Sequence, residues 1–190
     1  GGLTADCDHA YDNLKPAAAK AGYSLYISSG FRDYETQEVI YNRYVANDGK
    51  ANADRYSARP GHSEHQTGLA IDLNGVSDSF GDTPTGKWVA AHCHEYGFIL
   101  RYPKGKEAQT GYMYEPWHIR YVGAPHAELI TRAKVTLEEY AGLFKDGKYY
   151  VFEGHLISRQ TGELVFPQGP DDVTVSPDNN GGYFIWGKWK

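Results

Sequence analysis

Cysteine is scarce: two residues in a chain of 190. That excludes a small domain stapled by disulfides and leaves the fold dependent on a buried core. Cys7 and Cys93 allow one bridge at most. Each also falls on a candidate core face, where burial as a small apolar side chain is the favoured fate. Long hydrophobic runs are missing too. Nothing approaches the roughly 18 apolar residues of a membrane span, and no basic-then-apolar leader opens the chain. Positive charge is in deficit, with 19 Lys and Arg against 24 Asp and Glu and a net charge of −5. Such a chain has no basic field for a polyphosphate, which excludes a nucleic-acid partner. There is no internal repeat and no low-complexity tract. The length suits one domain with a small appendage and is too short for two domains of ordinary size. The chain starts Gly-Gly without methionine, as a processed or truncated protein would.

What is present is concentrated in Ser63-Glu-His65-Gln-Thr-Gly68-Leu-Ala70-Ile-Asp72 and, later, Glu115-Pro-Trp-His118. Two histidines and an aspartate are the ligand types of a tetrahedral zinc site, and a catalytic site uses three so that one position stays open to water. His65, Asp72 and His118 supply them. A carboxylate that does not bind the metal is then needed as the proton acceptor, and Glu115 is the candidate. Residues 67–73 alternate as a strand does, placing Leu69, Ile71 and Leu73 on one face. Gly68, Ala70 and Asp72 face the other way, so only small side chains flank the carboxylate, as on the floor of a cleft. Pro116 lacks an amide donor and suits the first residue or the edge of a strand. Trp117, Ile119 and Tyr121 then share a buried face, opposite His118 and Arg120.

These segments together resemble the zinc D-alanyl-D-alanine carboxypeptidases, the vancomycin-resistance type D,D-peptidases and related L,D-carboxypeptidases that trim bacterial peptidoglycan stems. The resemblance includes Ser28-Ser-Gly30-Phe-Arg32-Asp-Tyr-Glu-Thr-Gln37 and Tyr96-Gly97-Phe98-Ile-Leu-Arg101-Tyr-Pro103, and covers roughly residues 8–135. It is specific because four separated segments match in order. It implies one Zn2+ per chain on His65, Asp72 and His118, and Glu115 as general base and acid. It also implies that Arg32 meets the developing oxyanion or the substrate, helped by Ser63 and Gln37. An exopeptidase must bind a terminal carboxylate, for which Arg32, Ser63 and Arg59 are the nearby groups.

The elements read as α+β: a small antiparallel sheet with flanking helices plus a C-terminal β-meander, and the resemblance implies that the sheet and helices are of hedgehog and D,D-peptidase type. The spacing predicts a helix over 5–21 that kinks or restarts at Pro16, a short strand at 23–28, and a helix from Asp33 to about Ala46. A polar loop over 47–61, a helix over 85–96 and strands at 98–102 and 117–122 follow. Thr136-Leu-Glu-Glu139 reads as a capping box. From about Phe144 the texture changes to short aromatic runs between turns, at 149–152, 156–157, 164–166, 173–175 and 183–186. The expected division is a catalytic domain over 1–143 and an appendage over 144–190, whose aromatics read as a minimal core in preference to a wall-binding surface. His92-Cys93-His94 is metal-like in appearance, but Val89, Cys93 and Tyr96 share a helical face, so burial is favoured.

The functional expectation is a D,D-carboxypeptidase acting on a peptidoglycan stem or its precursor, with an L,D-carboxypeptidase on tetrapeptide stems as runner-up. Hedgehog domains share the zinc fold yet act as binding proteins, so a non-catalytic wall-binding module is the reading from a different class. The expected location is extracellular or cell-wall-facing in a bacterium, with any signal or anchor outside this sequence; the cytoplasm is the alternative.

Overall fold

The computed structural model describes residues 2–178 and 180–189. The chain divides into two compact units, Gly1–Thr136 and Leu137–Lys190.

In the first unit, α1 (Ala5–Lys20) starts at Thr4, whose hydroxyl accepts from the Cys7 amide at 3.3 Å. It runs as one element through Pro16, without the restart that a missing donor would suggest. Burial of Cys7, Ala10, Tyr11, Leu14 and Ala18 along one face outweighs an intrinsic penalty of about 3 kcal/mol for an interior proline. After β1 (Ile27–Ser29), α2 (Tyr34–Asp48) is capped by Asp33, which accepts from the Thr36 amide at 2.8 Å. The polar stretch expected to be loop contains a one-turn helix, α3 (Lys50–Ala53), held by the fully buried Ala53.

The sheet is completed by β2 (Ala70–Leu73), β3 (Phe98–Tyr102) and β4 (Glu115–Tyr121), in the antiparallel order β1-β2-β4-β3. β2 is shorter than the alternation from Thr67 implied. Residues Glu64–Thr67 form a 3-10 turn closed by Gly68 at φ +70°, where an L side chain would be strained and would press on the Thr4 amide at 3.0 Å. β4 lies inside the sheet, not at its edge. Pro116 is tolerated there because the β2 ladder begins only at His118, while on the β3 side the register shifts between Leu100 and Tyr102. Ile71, Leu73, Phe98 and Ile119 pack against α1 residues and against Val89 of α4 (Pro84–His92), and Trp117 joins the same core. The chain tightens to a 3-10 turn over Cys93–Tyr96. Cys7 and Cys93 are both buried free thiols and form no bridge, and burial pushes each up to about 12. Two further short helices, α5 (Glu107–Thr110) and α6 (His126–Ala133), complete this unit.

The second unit opens with α7 (Leu137–Tyr140) and continues as β5 (Tyr149–Phe152), β6 (His155–Gln160), β7 (Asp171–Pro177) and β8 (Tyr183–Lys188). The spatial order is β5-β6-β8-β7, so β8 inserts beside β6 where a consecutive meander would place β7. Residues 164–166 are not a strand. Instead the Val165 carbonyl accepts from the Gln160 side chain at 2.9 Å and also from the Tyr149 hydroxyl. The small core gathers Ile157 and Ile185 with Tyr140 stacked on Phe184 at 5.1 Å. Among the described residues no helix is long and apolar enough to cross a membrane.

Candidate metal centre and active site

Antiparallel register brings the two motifs together. Asp72 on β2 is the direct cross-strand partner of His118 on β4, and His65 reaches them from the 3-10 turn before β2. One ligand atom from each of the three lies within 4.8 Å of the others, the only such group among the described residues. All three are buried. The Gly30 carbonyl accepts from Nδ1 of His65 at 2.7 Å, which leaves Nε2 to face Asp72 Oδ2 at 3.2 Å. His118 turns Nδ1 to Asp72 Oδ1 at 3.1 Å.

The donor set fits a divalent cation. Asp72 Oδ1 is buried, and although His118 Nδ1 lies 3.1 Å away no well-aligned hydrogen bond reaches it, a position that a cation would satisfy. Burial opposes ionisation of Asp72, but the close His118 and His65 rings hold its carboxyl well below the usual range. Burial disfavours charge on His118 as well, yet Asp72 and Glu64 raise it to about 9. The pocket therefore favours positive charge at its centre.

Glu115 stands apart from the ligand group. It is buried, its carboxyl is 3.6 Å from His118 Nδ1, and burial pushes it up to about 7, with His118 opposing and Asp72 reinforcing the shift. A carboxyl tuned to neutrality can both take and return a proton. Arg32 donates to Gln37 Oε1 at 2.7 Å and Ser29 Oγ at 2.9 Å, and lies 3.7 Å from Asp72 Oδ2. Gln37 is almost fully buried and also donates to the Ala58 carbonyl at 2.6 Å, so it orients the guanidinium. Ser63 borders the cleft, and its hydroxyl accepts from the His65 amide at 3.3 Å. Arg59 is engaged by Asp54 at 2.7 Å and is not among the cleft-lining groups. The cleft encloses about 310 Å³.

Glu64 escaped the reading of the sequence. It receives Arg101 Nε and Arg120 Nη1, each at 2.8 Å, and places Oε2 3.4 Å from His118 Nε2. This carboxylate backs the ring nitrogen of His118 that points away from Asp72, the usual arrangement behind a metal-binding imidazole. Its only signal was adjacency to His65. Arg120, considered above only as a neighbour of His118, belongs to that ion-pair cluster. Tyr102, another unforeseen neighbour, packs its ring 5.0 Å from that of His118. The His92-Cys93-His94 triplet disperses: His92 pairs with Glu95 at 2.7 Å and His94 with Glu128 at 3.0 Å, while the Cys93 side chain enters the core.

The family described as VanY: D-alanyl-D-alanine carboxypeptidase matches residues 2–124. The chain belongs to this family. Among curated VanY relatives, the putative carboxypeptidase YodJ of Bacillus subtilis is 50% identical over 130 residues, 65% of this chain and 48% of that protein. The chain spans about half the length of the curated relatives it matches. Similar solved structures include the following three. The LdcB LD-carboxypeptidase is 44% identical with a TM-score of 0.71, over 75% of this chain and 70% of the other. The D,D-dipeptidase VanXYg, in complex with a D-Ala-D-Ala phosphinate analogue, is 29% identical with a TM-score of 0.87, over 99% and 82%. The D,D-pentapeptidase VanY, a point mutant in complex with Zn(II), is 36% identical with a TM-score of 0.66, over 73% and 83%.

Proposed function

We propose that this VanY-family chain is a zinc-dependent D,D-carboxypeptidase that removes the C-terminal D-alanine from peptidoglycan stem peptides. The observation that carries the reading is a buried His65–Asp72–His118 group with a separate buried carboxyl, Glu115, 3.6 Å from one of the three. A purely structural zinc site has no use for that extra acid, which weighs against the non-catalytic module. The Zn(II) in the related VanY pentapeptidase supports the choice of metal.

His65, Asp72 and His118 would hold the zinc. When bound, zinc supplies a Lewis acid that polarises a carbonyl and makes water easier to deprotonate. Glu115 takes the proton as the water oxygen bonds to the scissile carbon, then hands it to the amine as the carbon–nitrogen bond breaks. Arg32, held by Gln37 and Ser29, meets the negative charge that grows on the carbonyl oxygen. Ser63, which lines the same cleft, helps to bind the terminal carboxylate. Catalysis resides in the first unit, and the C-terminal sheet is its appendage. A stem substrate in the wall supports a place outside the cell or facing the wall, and a precursor substrate would keep the cytoplasm as the alternative.

The similarity to LdcB keeps a second reading, L,D-carboxypeptidase action on tetrapeptide stems. Zinc-loaded protein incubated with defined pentapeptide and tetrapeptide stems separates the two by product mass. Loss of one alanine from the pentapeptide, abolished by chelator and restored by zinc, is the expected result; loss only from the tetrapeptide overturns it.

A further inference from the structure

Of the eight arginines in the sequence, seven pair with a carboxylate. Arg43 is the exception among the described residues, yet it lines the same cleft as the metal ligands. Its side chain is organised all the same. The guanidinium lies 5.5 Å above the Tyr44 ring, and Tyr44 is braced edge-on by Tyr56 at 5.1 Å and 82°. The Tyr56 hydroxyl is in turn anchored on Asp48. A cation held over an aromatic platform keeps its donor edges available for an anion.

Its distance from the chemistry restricts which anion. Gln37, Ile40 and Tyr44 all line the cleft from α2, at the i, i+3, i+7 spacing of one helix face. Gln37 marks the catalytic end, since it holds Arg32 beside Asp72. Tyr44 lies seven residues further on, about 10 Å along the helix axis, a span that extended peptide covers in about three residues. A carboxypeptidase has a single residue on its leaving side. A cation that far from the catalytic end therefore faces the retained part of the substrate.

We propose that Arg43 is a specificity determinant that pairs with a substrate carboxylate two to three residues before the cleaved bond. This rests on the carboxypeptidase reading above. In a peptidoglycan stem the matching group is the free α-carboxylate of the γ-linked D-glutamate, and a stem amidated there loses the charge. Arg43 is exposed, so the pair is partly screened and discriminates acid from amide by about three- to tenfold. A surface contact made equally with the bound substrate and the transition state puts the discrimination on KM and leaves kcat unaffected.

The test uses the zinc-loaded full chain and two stems that differ only in D-glutamate versus D-isoglutamine, each as pentapeptide and tetrapeptide. The wild type is expected to favour the acid stem about three- to tenfold in kcat/KM, through KM, with the preference shrinking as salt is raised. Arg43→Ala should bring that ratio to one, and Arg43→Lys should restore part of it. A wild type indifferent to amidation, or an Arg43→Ala variant that keeps the preference, overturns the proposal. Hydrolysis of a short D-Ala-D-Ala peptide lacking the acid reports the parent activity separately. If no variant cuts any substrate, the carboxypeptidase reading fails, and calorimetric binding of acid and amide stems to wild type and Arg43→Ala still decides the role of Arg43.

Discussion

In the proposed reaction Glu115 and Arg32 carry different parts, and their substitutions should differ accordingly. Glu115→Gln keeps the volume but cannot accept the water proton; kcat is expected to fall by about 10² to 10⁴, with zinc content by elemental analysis unchanged. Arg32→Ala also keeps the metal and loses about 10² to 10³ in rate; near-normal turnover in a stopped assay would remove the guanidinium from the mechanism. Glu64, 3.4 Å from His118 Nε2, is expected to act through that ring. Glu64→Gln removes the charge behind the imidazole and leaves Arg101 and Arg120 without their shared partner, so zinc affinity measured by competition with a chromophoric chelator is expected to drop about 10- to 100-fold. The convergence of His65, Asp72 and His118 with Glu115 beside them was legible in the sequence because metal-site chemistry is tied to residue type and short spacing. Glu64 was not, because what makes a carboxylate a supporting group is the side chain 3.4 Å away, and that side chain is 54 positions later.

At the scale of elements, β2 and β4 matter through their register. Sliding either strand by one residue would turn Asp72 or His118 to the opposite face, and the apolar alternation that buries Ile71, Leu73 and Ile119 prevents it. This part was readable from the pattern, and so was the start of α2 at Asp33. The ends of β2 and the order of the second sheet were not, since a 3-10 turn and an exchange of strand neighbours depend on contacts made elsewhere. The β7–β8 connection supplies a pH prediction. The Asp178 carboxylate accepts from the amides of Asn180 and Gly182 at 2.7 and 2.8 Å and from Arg159 Nε at 2.6 Å. Burial opposes its charge, but those bonds win and lower its pKa. A lowered carboxyl contributes stability that is present above its unfolded value of about 3.9 and is lost as pH falls through the folded value. Denaturant unfolding followed at β8 should therefore weaken below about pH 4, and Asp178→Ala should remove that slope and cost about 1 to 3 kcal/mol at neutral pH.

For the molecule as a whole, metal and fold are linked. The three ligands come from a 3-10 turn and two strands, a grouping that the unfolded chain does not hold, so zinc binds the folded state in preference. At a thousandfold excess over its dissociation constant it adds about 4 kcal/mol. Scanning calorimetry should show a midpoint several degrees lower after chelation, recovered with zinc; an unmoved midpoint would mean that these side chains do not grip the ion. The sequence by itself pointed to the candidate chemistry, namely which residues could bind a metal, which acid stands apart from them, and which stretches are buried, since each of these follows from side-chain type and local period. Only the tertiary structure decided the surroundings of that chemistry. The Glu64 support, the interior place of β4, the separate burial of Cys7 and Cys93 and the unpaired Arg43 on the cleft wall all depend on which distant residues become neighbours. Packing of the whole core sets that, and no local pattern encodes it.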